Sequence, residues 1–279
     1  MSNKVLIAES GSTKTNWVWM ENGGVSGQHT TSGLNPNYTQ PNDAVAVFNT
    51  LPAEWKTAHQ IYFYGSGLGS KAGNQIMQGW LSQHFQDAAI ALENDLVAAA
   101  RSLCANQPGI VAILGTGSNA CRWDGATIDD DQHSLGYILG DEGSGFSIGK
   151  HFIADYFYGQ MPDEIAKAFS LYFPYTREEV LAATYHAPAP NRFIANAARF
   201  AVGRETHLYI RQVITTAFQA FIKAYLLRFK PLHLPVHCTG SIAAAYADLL
   251  REQLSGFGLV TGNIMADPLN GLIEYHKNN

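Results

Sequence analysis

The first twenty residues hold a strand, a turn of small hydroxylated residues and a second strand. Val5–Trp19 reads V-L-I-A-E-S-G-S-T-K-T-N-W-V-W; the apolar run Lys4–Ala8 predicts one strand, and the alternation over Asn16–Met20 predicts another. Such a hairpin can aim several backbone N–H groups and hydroxyls at one point, with Glu9 at the strand end able to hold a cation. The segment suits a phosphate–metal ligand, and an ordinary Gly/Ser hairpin fits it about equally well.

The same pattern recurs near the middle of the chain. An apolar strand, Ile110–Leu114, precedes the glycine turn Gly115–Asn119 and a return strand, Ala120–Trp123, and a third such turn lies at Thr239–Ser241. This restart indicates an internal duplication and two structurally similar domains. We place them at residues 1–107 and 108–279, with a last helix, Pro268–Tyr275, that could pack back on the first domain.

Composition narrows the class of protein. Charged residues make up only 15% of the 279 positions and apolar residues 46%, which predicts a compact fold with a full core. A net charge of −5 without a Lys/Arg cluster argues against nucleic acid and leaves small molecules as the default ligand. No segment is long enough for a membrane span or a signal peptide, and the three cysteines lack metal-site spacing. We therefore expect a cytoplasmic protein with no membrane or nucleic-acid partner.

Asp95 is the candidate general base. It lies between the predicted strand Ala88–Leu92 and the helix Leu96–Ala105, downstream of a glycine-rich turn at Gly65–Ser70. Phosphoryl transfer to an alcohol requires one carboxylate within reach of the hydroxyl proton. The alternative is a helix-capping aspartate with no catalytic duty.

The segment Gly140–Gly145 reads G-D-E-G-S-G and places two carboxylates, Asp141 and Glu142, in a turn where they could accept hydrogen bonds from a polyol. The overlapping segment Ser144–His151 is not a Walker A motif, and Gly115–Ala120 is not a dinucleotide fingerprint, because a strand rather than a helix follows it. The acidic run Asp129–Asp131 is predicted to be a solvated turn, and the region from about Ile148 to Lys230 to be mostly helical.

Together these motifs resemble the actin-like ATPase superfamily of acetate kinase and hexokinase, and within it the N-acetylglucosamine kinase branch, which is grouped with the BadF/BadG/BcrA/BcrD-type ATPases. The resemblance covers essentially the whole chain. It implies an α/β fold of two ribonuclease-H-like domains with a central cleft, which bind ATP with Mg²⁺ and phosphorylate an amino sugar such as N-acetylglucosamine or glucosamine at its C6 hydroxyl.

The resemblance also assigns roles to residues. Asp95 would deprotonate the C6 hydroxyl, and Glu9 would serve the metal. The sugar would be held by Asn35, Ser66, Asn119, Asp141 and Glu142. The nucleotide would be held by Ser10, Gly11, Ser12, Thr13, Lys14, Thr15, Gly115, Thr116, Gly117, Ser118, Gly240 and Ser241.

Two departures keep other functions open. The family usually carries aspartate where this chain has Glu9, and often another where it has Asn16; an extra methylene could displace the metal enough to cost about 10²-fold in rate. A non-catalytic sugar or nucleotide sensor is therefore one alternative. An activator ATPase of the BadF kind is another, although the chain lacks the cysteine pair that an iron–sulfur cluster would need. Members of the family that the chain resembles are often dimers, which makes a homodimer one option, but the sequence does not fix the oligomeric state.

Overall fold

The computed structural model describes residues 3–11, 13–132, 134–229 and 233–278, with only the backbone described at 131 and 132. The chain forms two compact units. Unit 1 comprises Met1–Ala105 with Pro268–Asn279, and unit 2 comprises Asn106–Asp267. Each is built on one five-stranded mixed sheet with helices, which confirms the α/β fold class.

The sheet of unit 1 has the strand order β3-β2-β1-β4-β5. The first three strands form antiparallel hairpins, and β4 and β5 then add in parallel beside β1. The elements are β1 (Lys4–Ser10), β2 (Lys14–Glu21), β3 (Gly24–Ser32), α1 (Pro41–Asn49), a 3₁₀ turn (Ala53–Thr57), β4 (Gln60–Gly65), α2 (Lys71–His84), β5 (Ala89–Asn94), α3 (Asp95–Cys104) and the C-terminal helix (Leu269–Asn278).

Helices cover both faces of this sheet. On one face Trp17 packs edge-on against Phe48 of α1 and Phe63 of β4, and the cluster extends to Met77 and Leu81 of α2. The other face carries α3, against which the C-terminal helix packs. Because β1 is covered on both sides, its centre is a continuous apolar run rather than an alternating one.

The sheet of unit 2 has the corresponding order, β8-β7-β6-β9-β10, with β6–β7–β8 antiparallel and β9 and β10 parallel. The strands are β6 (Gly109–Leu114), β7 (Ser118–Trp123), β8 (Ile128–Gln132), β9 (Val236–Thr239) and β10 (Thr261–Met265). The helices are α4 (Gly136–Leu139), α5 (Gly145–Phe157), α6 (Asp163–Tyr172), α7 (Arg177–Tyr185), α8 (Pro190–Ala197), a 3₁₀ turn (Ala198–Ala201), α9 (Leu208–Phe221, continued as a π turn over Ile222–Leu226), α10 (Ser241–Ala245) and α11 (Ala247–Gly256).

The acidic run at 129–131 is not a turn, as the sequence predicted, but lies in β8. Within this strand Arg122 of β7 binds Asp129 at 2.8 Å, and Arg228 binds Asp130 at 3.1 Å. Paired charges of this kind allow an acidic segment to form an edge strand, where charge also discourages association with other edges.

Candidate active site

The turn between β1 and β2 is fixed by hydrogen bonds to a loop that lies 24 residues further on. The Ser10 hydroxyl lies 2.7 Å from Thr15 Oγ1 and donates to the carbonyl of Leu34 at 2.9 Å. The Leu34 N–H in turn donates to Ser10 Oγ at 2.9 Å and to Thr15 Oγ1 at 3.2 Å. Ser10 and Thr15 are fully buried, and their hydroxyl hydrogen bonds fix the shape of the turn.

The tip of the same turn is open to solvent. Gly11 N–H donates to the Lys14 carbonyl at 3.0 Å, and the side chains of Thr13 and Lys14 are exposed. Ser12 lies outside the described residues. Of the predicted nucleotide contacts in this segment, Gly11, Thr13 and Lys14 are thus the accessible ones.

Glu9 is half-buried near the end of β1 and points to the face of the sheet opposite Ser10. It is in register with Asn16 on β2 and Tyr64 on β4. A single carboxylate is compatible with Mg²⁺, which keeps several waters and combines one or two carboxylates with substrate phosphates. Among the described residues no group of three or more His, Cys, Asp or Glu could hold a metal without such help.

Asp95 is the first residue of α3 and follows β5 directly. Its Oδ2 accepts a hydrogen bond from the Ser66 hydroxyl at 2.6 Å. Burial raises the pKa of Asp95 above its ordinary value, and the bonds from Ser66 and the Leu96 backbone offset this only in part. The result is a carboxylate more basic than usual, oriented by a serine, which is what a general base for an alcohol requires.

Backbone contacts join Asp95 and Ser66 to the other predicted groups of unit 1. The Ser66 N–H donates to the Ser10 carbonyl at 3.1 Å. Gly67 has φ +89° and packs so closely on Asn35 that a Cβ there would lie 2.6 Å from Asn35 Oδ1. That oxygen already accepts from the Asn37 N–H at 2.9 Å, which leaves the Asn35 amide NH₂ as the group for a substrate. Unit 1 therefore brings Ser10, Asn35, Ser66 and Asp95 into one cluster.

In unit 2 the β6–β7 turn is clasped by the loop that precedes α5. The N–H groups of Gly145 and Phe146, at the start of α5, donate to the carbonyls of Gly115 and Thr116 at 2.8 and 3.1 Å. The carbonyl groups of the turn thus already accept hydrogen bonds. The N–H groups of Thr116 and Gly117, by contrast, have no acceptor in the part of the chain that is described. Two adjacent, half-buried backbone donors form a ready site for an anion such as phosphate.

Asp141 holds this turn in place. Its Oδ1 accepts from the Ser118 N–H at 3.1 Å, and its backbone N–H donates to the hydroxyl of Tyr225 at 3.2 Å. Asp141 is buried and has φ +61°, a left-handed conformation that aspartate tolerates better than most residues. The neighbouring Glu142 is half-buried, and no bond to its side chain is found in the described residues.

Three further residues of unit 2 were predicted to bind ligands, and of these Gly240 lies directly against the β6–β7 turn. Gly240 has φ +117°, and a Cβ there would meet the Leu114 carbonyl at 2.4 Å and Gly115 N at 3.1 Å. Ser241 begins α10 and is exposed, and Asn119 Oδ1 accepts from the Ala120 N–H at 2.9 Å. Beside Gly240, the buried Thr239 hydroxyl has no partner in the described residues. An unsatisfied buried hydroxyl and two free amides fit a bound nucleotide better than an empty turn.

Comparison with known proteins identifies the family. No family model and no curated protein matches the chain. Among solved structures, the putative N-acetylglucosamine kinase of Porphyromonas gingivalis is 35% identical over 99% of both chains, with a TM-score of 0.93. The chain belongs to the N-acetylglucosamine kinase branch of the actin-like ATPases.

Two more distant structures share the fold of this branch. The putative N-acetylglucosamine kinase of Chromobacterium violaceum is 20% identical over 98% of both chains, with a TM-score of 0.68. A putative N-acetylmannosamine kinase of Listeria monocytogenes is 14% identical over 99% of this chain and all of its own, with a TM-score of 0.54. In the chain described here, none of the helices within the described residues is both long and apolar enough to cross a membrane.

The sequence does not reveal the distant residues that hold the β1–β2 and β6–β7 turns in place. Tyr225, which binds the Asp141 backbone, lies 84 residues away in a helical region without a motif. Leu34 contributes only its backbone, which no side-chain pattern could reveal. The loops themselves are visible in the sequence, as G-L-N at Gly33–Asn35 and G-D-E-G-S-G at Gly140–Gly145, but the groups that they bind are not.

Proposed function

We propose that this protein is an ATP-dependent kinase that transfers the γ-phosphoryl group to the C6 hydroxyl of an amino sugar, and that N-acetylglucosamine is the preferred acceptor. The Ser66–Asp95 pair carries the proposal, because it supplies an oriented carboxylate of raised pKa beside an amide, Asn35, that can hold a sugar hydroxyl. The family, and the names of its structurally similar members, support the choice of acceptor.

In this reaction Asp95 accepts the proton of the sugar's C6 hydroxyl as the oxygen forms its bond to the γ-phosphorus. The bond from that phosphorus to the bridging oxygen breaks, and ADP leaves with the electron pair. Ser66 keeps the Asp95 carboxylate aimed while it is charged. Within unit 2 the N–H groups of Thr116 and Gly117 would bind phosphate oxygens. Within unit 1 the accessible residues of the β1–β2 turn, Gly11, Thr13 and Lys14, are the candidates for phosphate contacts.

Glu9 would hold Mg²⁺, through water or directly, together with the phosphates; the bound ion would neutralise charge that develops on them. For the sugar hydroxyls we choose Glu142 over Asp141 as the acceptor. Asp141 Oδ1 already accepts from the Ser118 N–H, whereas no hydrogen bond to the Glu142 carboxylate is found in the described residues.

The test is ADP release with Mg²⁺ and a panel of acceptors: N-acetylglucosamine, glucosamine, N-acetylmannosamine, N-acetylmuramic acid, glucose and no sugar. Phosphorus NMR of the product shows whether the 6-phosphate is formed. Asp95→Asn should lower kcat by about 10²- to 10⁴-fold, the usual contribution of a general base. Asp87→Asn, an exposed aspartate of the same unit, is the matched control and should leave the rate unchanged.

Absence of sugar-stimulated turnover would reject the kinase. If ATP or a sugar still raised the melting temperature, the chain would be a sensor of the same fold, and Glu9→Asp would be the variant to examine next. Equal rates in Asp95→Asn and the wild type would remove Asp95 as the base.

A further inference from the structure

A partly buried chain of polar groups connects the C-terminal helix to β5, the strand that immediately precedes Asp95. His276 Nε2 lies 2.8 Å from the hydroxyl of Tyr64, to which Arg101 Nη1 donates at 2.8 Å. Arg101 Nη2 donates in turn to Glu93 Oε1 at 3.1 Å. We call this chain, His276–Tyr64–Arg101–Glu93, the Tyr64 relay; all of it lies within unit 1.

The hydrogen bonds of the relay diverge from Arg101, toward Glu93 on one side and through Tyr64 toward His276 on the other. Arg101 can only donate, so the Tyr64 oxygen is an acceptor toward it, and the Tyr64 hydrogen is available for His276. Burial and the nearby Arg101 charge lower the pKa of His276 to about 4, so its imidazole is neutral near pH 7 and Nε2 can accept. Burial raises the pKa of Tyr64 to about 12, which keeps its hydrogen in place.

Close packing holds the relay in this arrangement. The C-terminal helix crosses α3 at Gly271, where a Cβ would lie 2.4 Å from the Ser102 carbonyl. The guanidinium of Arg101 lies over the rings of Tyr64 and Tyr275, with its carbon 5.6 and 5.3 Å from their centroids. Its Nε is buried without a partner in the described residues, so Tyr64 and Glu93 are the groups that orient it.

The relay ends at the joint that carries Asp95. Glu93 is the second residue before Asp95, at the end of β5, and Arg101 lies two turns further along the helix that Asp95 begins. Arg101 reaches back toward the start of α3, as side chains on a helix do, and ties the strand to the helix across the joint. The register places Tyr64 beside Glu93, so β4 is part of the same clamp.

We propose that Tyr64, Arg101 and His276 are positioning residues for Asp95, so that the C-terminal helix contributes to the reaction without touching the substrate. The proposal deepens the proposed function and rests on it, because Asp95 is positioned for the proton transfer described above. Loss of the Tyr64 hydroxyl leaves Arg101 and His276 without their common partner and loosens the joint. A displacement of Asp95 approaching 1 Å can cost about 10²-fold in rate.

Tyr64→Phe removes one oxygen and is the central variant. Its matched control is Tyr62→Phe, because Tyr62 stands two residues earlier on the same face of β4, with its ring 4.1 Å from the His276 ring and its hydroxyl outside the relay. His276→Leu removes the acceptor, and His276→Gln restores one. We expect kcat to fall about 10- to 100-fold in Tyr64→Phe and His276→Leu, with the KM values for ATP and sugar within about twofold of wild type. Tyr62→Phe and His276→Gln should stay close to the wild-type kcat.

A readout independent of turnover is the ¹³Cγ resonance of Asp95, assigned by its loss in Asp95→Asn. In Tyr64→Phe its titration midpoint should move down toward that of an ordinary aspartate, since burial is the main cause of the raised value. Lower melting temperatures with an unchanged kcat per folded molecule and an unchanged midpoint would overturn the proposal. Failure of the proposed function would be a separate result, because it would appear as a wild-type protein whose turnover no sugar stimulates. The titration midpoint of Asp95 in Tyr64→Phe would still show whether the Tyr64 relay positions Asp95.

Discussion

Gly117→Ala tests how the β6–β7 turn is built. A Cβ at this position would lie 2.6 Å from Asp141 Oδ2 and 3.0 Å from its Cγ, and ordinary contacts begin near 3.4 Å. The carboxylate would have to retreat by about 0.8 Å, more than a close-packed site accommodates freely. Asp141 cannot retreat without stretching its bond to Ser118 N–H, because its own backbone is fixed by Tyr225.

The expected cost follows from that bond. A hydrogen bond to a charged acceptor contributes roughly 1.5–3 kcal/mol, so Gly117→Ala should destabilise unit 2 by about 2–3 kcal/mol. For a domain of this size such a loss lowers the melting temperature by roughly 4–12 °C. Differential scanning calorimetry or urea unfolding of the purified protein measures it.

Gly115→Ala is the matched control. It lies in the same turn, and nothing comes within 4 Å of the added methyl group. Neither glycine has a left-handed φ, so both substitutions reduce the freedom of the unfolded chain equally, and the difference between them isolates the contact with Asp141. The contact explanation also requires that Gly117→Ala cost nothing further in an Asp141→Ala background. Equal costs with and without the Asp141 carboxylate would refute it.

Two predictions concern titrating groups. Stability should fall between about pH 6.5 and pH 4 more steeply in the wild type than in His276→Gln, because the unfolded chain binds the His276 proton near its ordinary pKa whereas the fold delays it to about 4; parallel urea-unfolding curves across this range would contradict the assignment. Ser66→Ala should move the acid limb of the kcat–pH profile upward, because the Ser66 hydrogen bond lowers the pKa of Asp95 and its loss lets burial raise that pKa further. A limb that stays in place would show that Ser66 does not set the protonation of the base.

Local sequence patterns predict most of the helices and strands, but not those that depend on contacts with residues elsewhere in the chain. The first hairpin and the strand–helix pair around Asp95 are predicted within about two residues at each end, a normal error for boundaries. The acidic strand β8 was mistaken for a turn because its pairing partners, Arg122 and Arg228, are not visible in its own sequence. The short polar strand β10 is not predicted from the sequence, and the helical segment after β9 is broken at Tyr246 into α10 and α11.

The candidate site divides in the same way. The groups proposed to take part in the reaction, Asp95 and the backbone N–H groups of the β6–β7 turn, lie where the strand and turn patterns of the sequence end. The residues that hold these groups in position have no such local signal. Tyr225 binds Asp141 across 84 residues of sequence, and His276 binds Tyr64 across 212. Such contacts leave no local periodicity, because a single hydroxyl or imidazole in a helix is compatible with many environments.

The two units hold their hairpin turns in place in the same way. In each, a hairpin turn between the first two strands of the sheet is clasped by a polar loop from further along the chain: Leu34 holds the turn in unit 1, and Asp141 holds it in unit 2. The side chains nearest each turn are spent on the clasp and are buried, which leaves backbone N–H groups and the outer loop residues for ligands. We therefore expect the buried side chains of these motifs to have a structural role, and the exposed residues and backbone N–H groups of the same motifs to bind ligands. Substitutions at Ser10, Thr15 or Asp141 should act first on stability, and those at Asp95 or Glu142 first on activity.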